Sequence, residues 1–304
     1  MKHSIKSTVS VVVMTYQSSK FIVETLEGMK SQTWENLELI ISDDASTDNT
    51  VELCYDFIEK NRDRFTNIKV IVSEKNKGIP ANYNQGIKAT SGKWIKFVDA
   101  DDVLLENCIK DNIDYTNQHP SACFITSDVI EIDANSNIIR EQVSYSGMQY
   151  MMSKETPSEQ LKVYTRYPFF INSPTFFAKS SLMKKINYCD ENFKIYEDTT
   201  MIFRILIKGI RIHYLNKPTV KYRIHAKSIS RDEQAIKRRE MEEYKIFKKY
   251  RKQHLNLFNP IDLSVLYEVW LSYKYKGFRG RKGLVVLRLF SLHYWQLKLK
   301  GLSS

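Results

Sequence analysis

The chain has 304 residues, 42% of them hydrophobic, which is enough for a sizeable core and too much for a disordered polymer. Cys54, Cys108, Cys123 and Cys189 lie far apart, with no CxxC pair and no histidine cluster at ligand spacing, so the composition points to neither a zinc module nor a disulfide framework and fits a reducing cytosol. The net charge of +11 is concentrated at one end: residues 231–304 carry 17 Lys and Arg against 7 Asp and Glu, leaving the first 230 residues close to neutral.

The apolar run Val9 to Met14 ends in Thr15-Tyr16 rather than in a small-residue cleavage site, so no signal peptide is expected. Val9 to Thr15 predicts a strand, followed by a helix from about Phe21 with Ile22, Leu26 and Met29, and a strand at Leu37 to Ser42. A second helix places Val51, Cys54, Phe57 and Ile58 on one face. Asp48, Asn49 and Glu52 open it as an N-terminal cap, and a strand at Ile68 to Val72 follows. Helix Asn82 to Ala89, strand Trp94 to Val98 and helix Leu104 to Gln118 extend the series. Strands alternating with crossover helices predict an α/β domain with a mainly parallel sheet covered on both faces.

Such sheets bind ligands beyond the carboxyl ends of their strands. Asp43-Asp44 and the run Asp99 to Asp102 both fall directly after predicted strands and are expected to share one crevice. Past Ala122 the pattern is irregular, with strands at Ala122 to Thr126 and Val129 to Asp133 and a long polar stretch, Asn135 to Lys162, expected to contain a mobile loop. Regularity returns with Pro174 to Lys179, a helix from about Asp198 to Lys208 stopped by Gly209, and strands at Ile210 to Leu215 and Thr219 to Ile224.

Asp99-Ala100-Asp101-Asp102 sets three carboxylates in four residues, whose repulsion calls for water or a cation. Oxygen ligands of this kind suit Mg²⁺ or Mn²⁺, which use one or two carboxylates together with substrate phosphates and water. Taken alone, the same aspartates serve as readily to cap a helix or fill a solvated turn. Glu197-Asp198 likewise opens a helix, where a carboxylate is stabilised by the dipole.

Read together and in order, Val9 to Tyr16, Asp43 to Asp48, Asn76-Lys77-Gly78, Asn84-Gln85-Gly86-Ile87 and Phe97 to Asp102 resemble the family 2 inverting glycosyltransferases. Glu197-Asp198, Arg204 and Tyr222-Arg223-Ile224-His225 continue the likeness, which covers roughly Val9 to Ser230. The resemblance implies a GT-A, Rossmann-like fold and a nucleoside diphosphate sugar donor. It places Tyr16 against the base, Asp44 on the base edge, Asp101 near the ribose and Asp102, with Asp101, on Mn²⁺ or Mg²⁺. It implies that Thr15, Asp43, Asn84 and Asp99 line the same site, that Arg223 and His225 reach toward the diphosphate or metal, and that Asp198 is the general base. A carboxylate can accept the N3 hydrogen of uracil while an aromatic face stacks on the ring, so UDP is the expected leaving group. Two positions depart from the family's common pattern: Tyr83 stands where an Arg often precedes the Asn, and Tyr188-Cys189 replaces a usual glycine.

The expected organisation is a glycosyltransferase domain over residues 1–230, with a nucleotide-sugar half to about 120 and an acceptor half from about 121, then a basic, mostly helical extension over 231–304. No acidic residue follows Glu268, while Lys and Arg alternate with Tyr, Phe and Trp. Leu284 to Leu297 is too short and too charged for the ~20 residues of a spanning helix, and is expected either on an anionic bilayer surface or packed on the core. No recognised nucleic-acid module is present, so nucleic acid is not an expected partner. The activity expected is metal-dependent transfer to a lipid-linked or growing surface saccharide, as in lipopolysaccharide or capsule biosynthesis. The expected location is the cytoplasm, peripherally on the cytoplasmic face of the membrane. Two rivals remain: a nucleotidyltransferase, for which no Gly-rich phosphate loop follows the first strand, and a non-catalytic nucleotide-sugar-binding scaffold.

Overall fold

A computed structural model describes residues 7–169, 171–225, 233–274 and 289–300. By internal contacts the chain separates into two compact units, Met1–Ser144 with Ile171–Ser228, and Tyr145–Phe170 with Ile229–Ser304.

The first unit contains a nine-stranded sheet. Its strands are β1 (Val9–Thr15), β2 (Leu37–Asp43), β3 (Asn67–Val72), β4 (Trp94–Asp99), β5 (Val103–Leu104), β6 (Phe124–Ile132), β7 (Ile138–Val143), β8 (Phe177–Lys179) and β9 (His213–Arg223), ordered β3-β2-β1-β4-β8-β6-β9-β5 with β7 paired to β6. The first four strands are parallel, as their crossover helices α1 (Ile22–Lys30), α2 (Thr50–Asn61) and α3 (Ile79–Ala89) require. Every residue of β1 and β2 is buried, which explains why both read as unbroken apolar runs rather than as alternations. β3, at the sheet edge, is only partly covered. Gly86 lets α3 lie close on this sheet, since a Cβ there would come within 2.4 Å of Val12 Cγ1.

The remaining pairings are mixed. β6 and β9 are parallel, whereas β4–β8, β6–β8, β6–β7 and β5–β9 are antiparallel. The helix expected from Leu104 begins later, as α4 (Cys108–Gln118), because Val103 and Leu104 pair with β9 instead. The two strands expected on either side of residue 127 form one strand, β6, and those expected between 210 and 224 form β9; register shifts at Ser127–Val129 absorb the irregularity that had divided the pattern. The polar stretch Asn135 to Lys162, expected to contain a mobile loop, holds β7, α5 (Ser146–Met152) and most of α6 (Pro157–Arg166), which opens on a capping box between Thr156 and Glu159. α7 (Ser180–Lys185) and α8 (Glu197–Ile207) complete the first unit.

The second unit comprises α5, α6, α9 (Glu233–Ile246), α10 (Pro260–Lys274) and α11 (Leu292–Leu299). Arg166 of α6 bonds Asp262 of α10 at 2.6 Å, with both side chains largely buried. No described helix is long and apolar enough to cross a membrane.

Candidate active site

Strand register builds the floor of the site. Thr15 aligns with Asp43 across β1 and β2, and Met14 with Asp99 across β1 and β4, so the carboxyl ends of three neighbouring parallel strands carry polar groups at one level. Tyr16, just beyond β1, is 49% exposed, and the turns that follow are tight: Gln17 and Ala45 both have positive φ.

Asp43 and Asp44 are buried and well supplied with donors. Asp43 Oδ2 accepts from the hydroxyls of Thr15 and Ser46 at 2.6 Å each, and its Oδ1 accepts from the Ser46 amide at 2.8 Å. The Asp44 oxygens accept from the amides of Lys77 and Gly78 at 2.8 and 2.9 Å. Gly78 adopts φ +95°, a conformation that suits glycine and turns both amides toward the carboxylate.

Asn84 lies in the second turn of α3. Its amide pairs with both backbone groups of Cys189, at 2.8 and 3.1 Å, and donates to Glu191 Oε1 at 2.7 Å, so it ties α3 to the segment before α8. An open hollow of about 540 Å³ is lined by Lys77, Ala81, Asn84, Gln85, Lys88 and Glu191 among others, and includes none of the carboxylates of the 99–102 loop.

The 99–102 loop is different in kind. Asp99 Oδ1 accepts from the Tyr83 hydroxyl at 3.0 Å and Oδ2 from Ser173 Oγ at 3.3 Å. Burial, then the charge of Asp101, push the Asp99 carboxyl up to about 7, against the lowering effect of those two hydroxyls. Asp101 Oδ2 lies 3.0 Å from His225 Nε2. Asp102 Oδ1 accepts the Arg223 amide at 2.8 Å, whereas Oδ2 is buried with no hydrogen-bond partner. Burial and the neighbouring Asp101 and Asp99 hold Asp102 well above the ordinary carboxylate range.

Arg223 is fully buried and braces this loop from below. Its Nε donates to the Asp101 carbonyl at 2.7 Å, and its terminal nitrogens reach the Asp133 carbonyl, Ser136 and Glu24 at 3.1, 2.9 and 2.6 Å, with the guanidinium 4.8 Å from the Phe21 ring centre. Its donors are thus directed into the protein. His225, on the same strand end, packs 4.9 Å from Phe21 and faces Asp101.

The first turn of α8 brings Glu197 and Asp198, both largely buried, to the same acidic region. Asp198 Oδ1 accepts from the Thr199 amide at 2.5 Å. Glu197 Oε2 has no partner, and burial together with the charges of Asp198 and Asp99 push its carboxyl well up. Asp99, Asp101, Asp102, Glu197 and Asp198 therefore form one electrostatically linked group drawn from two distant stretches of sequence.

The orphaned Asp102 oxygen and the repulsion around it, which Arg223 offsets only in part, fit a divalent cation. Among the described residues no three His, Cys, Asp or Glu side chains gather into a closed metal cage. Sequence reasoning did not single out Tyr83, Ser173 or Glu24 as parts of this site, because their link to Asp99 and Arg223 exists only after the sheet closes. Glu197 had a signal, its position beside Asp198, but the pair also reads as an ordinary helix cap.

The chain matches the family model for glycosyl transferase family 2 over residues 10–185. It is 28% identical over 231 residues to glycosyltransferase GlyG of Streptococcus pneumoniae, covering 74% of this chain and 73% of that one. It is 30% identical over 217 residues to the poly(ribitol-phosphate) beta-N-acetylglucosaminyltransferase TarS of Staphylococcus aureus, covering 70% of this chain but only 35% of that protein. Among solved structures, TarS residues 1–349 in complex with UDP-GlcNAc superpose with a TM-score of 0.62 at 22% identity, over 90% of this chain and 76% of that one. The mannosyltransferase PcManGT of Pyrobaculum calidifontis, in complex with GDP-Man and Mn²⁺, gives 0.59 at 16% identity, over 98% and 85%. These structural likenesses establish the GT-A fold.

Proposed function

The chain belongs to glycosyl transferase family 2, and from that premise we propose that it moves a sugar from a UDP-linked donor to a saccharide hydroxyl with inversion at the anomeric carbon. The observation that carries the reading is the acidic group, in which the strand-end aspartates, with the unpartnered Asp102 oxygen, are electrostatically linked to Glu197 and Asp198 of α8.

Each residue then has a physical task. The half-exposed Tyr16 offers a face for the uracil ring. Asp44 is fixed by the Lys77 and Gly78 amides, and each of its oxygens keeps a second lone pair, so it can accept the N3 hydrogen of the base. Thr15 and Asp43 hold the turn that presents Tyr16, and Asn84 anchors the segment leading to α8. Asp101, steadied by His225, faces the ribose and with Asp102 would hold Mn²⁺ or Mg²⁺. A divalent cation bound there supplies positive charge against the departing diphosphate. Arg223 acts as a strut: its amide and guanidinium fix Asp102 and the Asp101 backbone.

Asp198 takes the proton from the acceptor hydroxyl as that oxygen attacks C1 of the sugar from the face opposite the diphosphate. Burial and the charges of Asp198 and Asp99 push the Glu197 carboxyl well up, which lowers the charge crowded at this turn. The acceptor we assign is a lipid-linked or growing cell-surface saccharide met at the cytoplasmic face of the membrane. TarS, named for transfer to poly(ribitol-phosphate), supports a surface polymer, and the basic C-terminal region supports the membrane location.

Titration of UDP, GDP and CDP into the protein, each with Mn²⁺ and with chelator, tests the donor side. Metal-dependent binding of UDP above the other two is expected; no nucleotide binding sinks the assignment. Asp198→Asn should then lower transfer by roughly 10²–10⁴-fold while leaving UDP affinity unchanged. Retained transfer in that variant removes Asp198 as the base.

A further inference from the structure

In the second unit, α11 is amphipathic with its faces reversed. Its polar side turns inward. His293 bonds Glu268 Oε1 at 3.0 Å and the Arg166 carbonyl at 2.7 Å, and its ring stacks on Tyr167 at 5.0 Å; Gln296 accepts a hydrogen bond from the Tyr167 hydroxyl. Its apolar side faces outward. Leu292, Trp295 and Leu299, at helical spacing along one stripe, are 53%, 45% and 85% exposed, and Phe290 just before the helix is 79% exposed. A helix of a soluble unit normally buries such a stripe.

The polar side already fixes the helix to its unit, so a partner of α11 has to satisfy the stripe and its charged border. Lys298 and Lys300 flank the apolar residues, Lys298 lying 5.1 Å from the Tyr294 ring centre and Lys300 donating to the Tyr150 hydroxyl at 2.6 Å. No acidic residue follows Glu268 in the sequence, so the stretch of chain that holds α11 carries only positive side-chain charge. Two copies pairing through this stripe would bring like charges together. An anionic surface with an apolar interior would satisfy both features. At eight residues, α11 cannot span a bilayer but can lie in the plane of one.

We infer that α11 and Phe290 form an interfacial anchor that inserts Leu292, Trp295 and Leu299 among anionic lipids, with Lys298 and Lys300 at the headgroups. Trp295 sits where an indole prefers the headgroup level. The inference deepens the membrane location proposed above and rests on it only for its purpose, since the anchor's physics needs no catalysis.

Co-sedimentation of the full chain with phosphatidylcholine vesicles, with and without phosphatidylglycerol, tests it. The expected result is binding at least tenfold stronger to the anionic vesicles and weakened by salt. Leu292→Ser with Leu299→Ser should lower that binding by tenfold or more, and Lys298→Gln and Lys300→Gln by roughly fivefold each. Equal binding to both vesicle types, or anionic binding unchanged by the leucine substitutions, overturns the anchor. So does a vesicle-free dimer in sedimentation velocity that the leucine substitutions abolish, because the stripe would then be covered by a second copy. UDP titration of the same preparations separates the two readings: loss of UDP binding in the parent chain counts against the catalytic assignment, and the vesicle result decides the anchor.

Discussion

Two acidic turns follow parallel strands of the same sheet, and they differ in what surrounds them. Asp43 and Asp44 are met by five donors: two hydroxyls and three backbone amides. Asp99, Asp101 and Asp102 have fewer, and the Asp102 Oδ2 atom has none. The first turn is therefore a shaped loop whose charge is balanced by local dipoles. The second holds excess negative charge in a buried place, which Arg223 offsets only in part and which an external cation or protons would relieve further. Acid after a strand is one sequence signal for both, and the supply of donors decides which meaning it has.

The comparison breaks most visibly at Asp102. Asp102→Asn keeps the oxygen that accepts the Arg223 amide and removes a charge crowded by Asp99 and Asp101. The metal-dependent affinity for UDP should fall by about ten- to a hundredfold, while the metal-free protein should melt at a higher temperature than its parent. A destabilised metal-free variant would mean that the turn is balanced after all.

At the other turn the expected sign is opposite. Asp43→Ala strands the Thr15 and Ser46 hydroxyls and the Ser46 amide, at a cost of about 2–3 kcal/mol. The melting temperature should drop by roughly 5–10 °C. A variant as stable as the parent would show that the hydrogen bonds at Asp43 do not hold the turn.

A smaller effect separates the turns by pH. Asp99 has its folded-state carboxyl raised to about 7 from an ordinary 3.8. A raised acid contributes stability that is fully present below its unfolded value and is lost as pH rises through the folded one. Without metal, stability should thus decline between about pH 4 and 7 through this group. Melting curves of the parent and Asp99→Asn over that range, with chelator, should diverge by a few degrees, and added Mn²⁺ should reduce the decline in the parent. Parallel curves would remove the unrelieved charge from the second turn.

How much of this was legible in the sequence follows from the same contrast. β1, β2 and β4 could be read because buried parallel strands are unbroken apolar runs, and the acids at their ends stand beside them in the chain. The antiparallel half was harder. β6 and β9 each carry a register shift that interrupts the pattern, and β5 is two residues long. The site's supporting bonds span long separations, as from Asp44 to Gly78, Asn84 to Cys189, and Arg223 to Glu24. No local pattern announces a donor that arrives from elsewhere. Asn84 and Arg223 could be selected by resemblance, but the bracing roles their hydrogen bonds describe became visible only in three dimensions.

The finest test lies at Tyr83, where the resemblance to the family leads one to expect Arg. Its ring is buried and stacks on Phe97 at 5.7 Å, and its hydroxyl is one of the two donors that Asp99 has. Tyr83→Phe preserves the stack and removes one donor, so the stability cost should be small, about 1 kcal/mol. The hydroxyl favours the charged form of Asp99, so its loss should raise that carboxyl further. The decline in metal-free stability should still begin near pH 4, but its upper end should move above about 7. An unmoved upper end would mean that the Tyr83 hydroxyl does not tune the charge of the second turn, and would leave Tyr83 as packing alone.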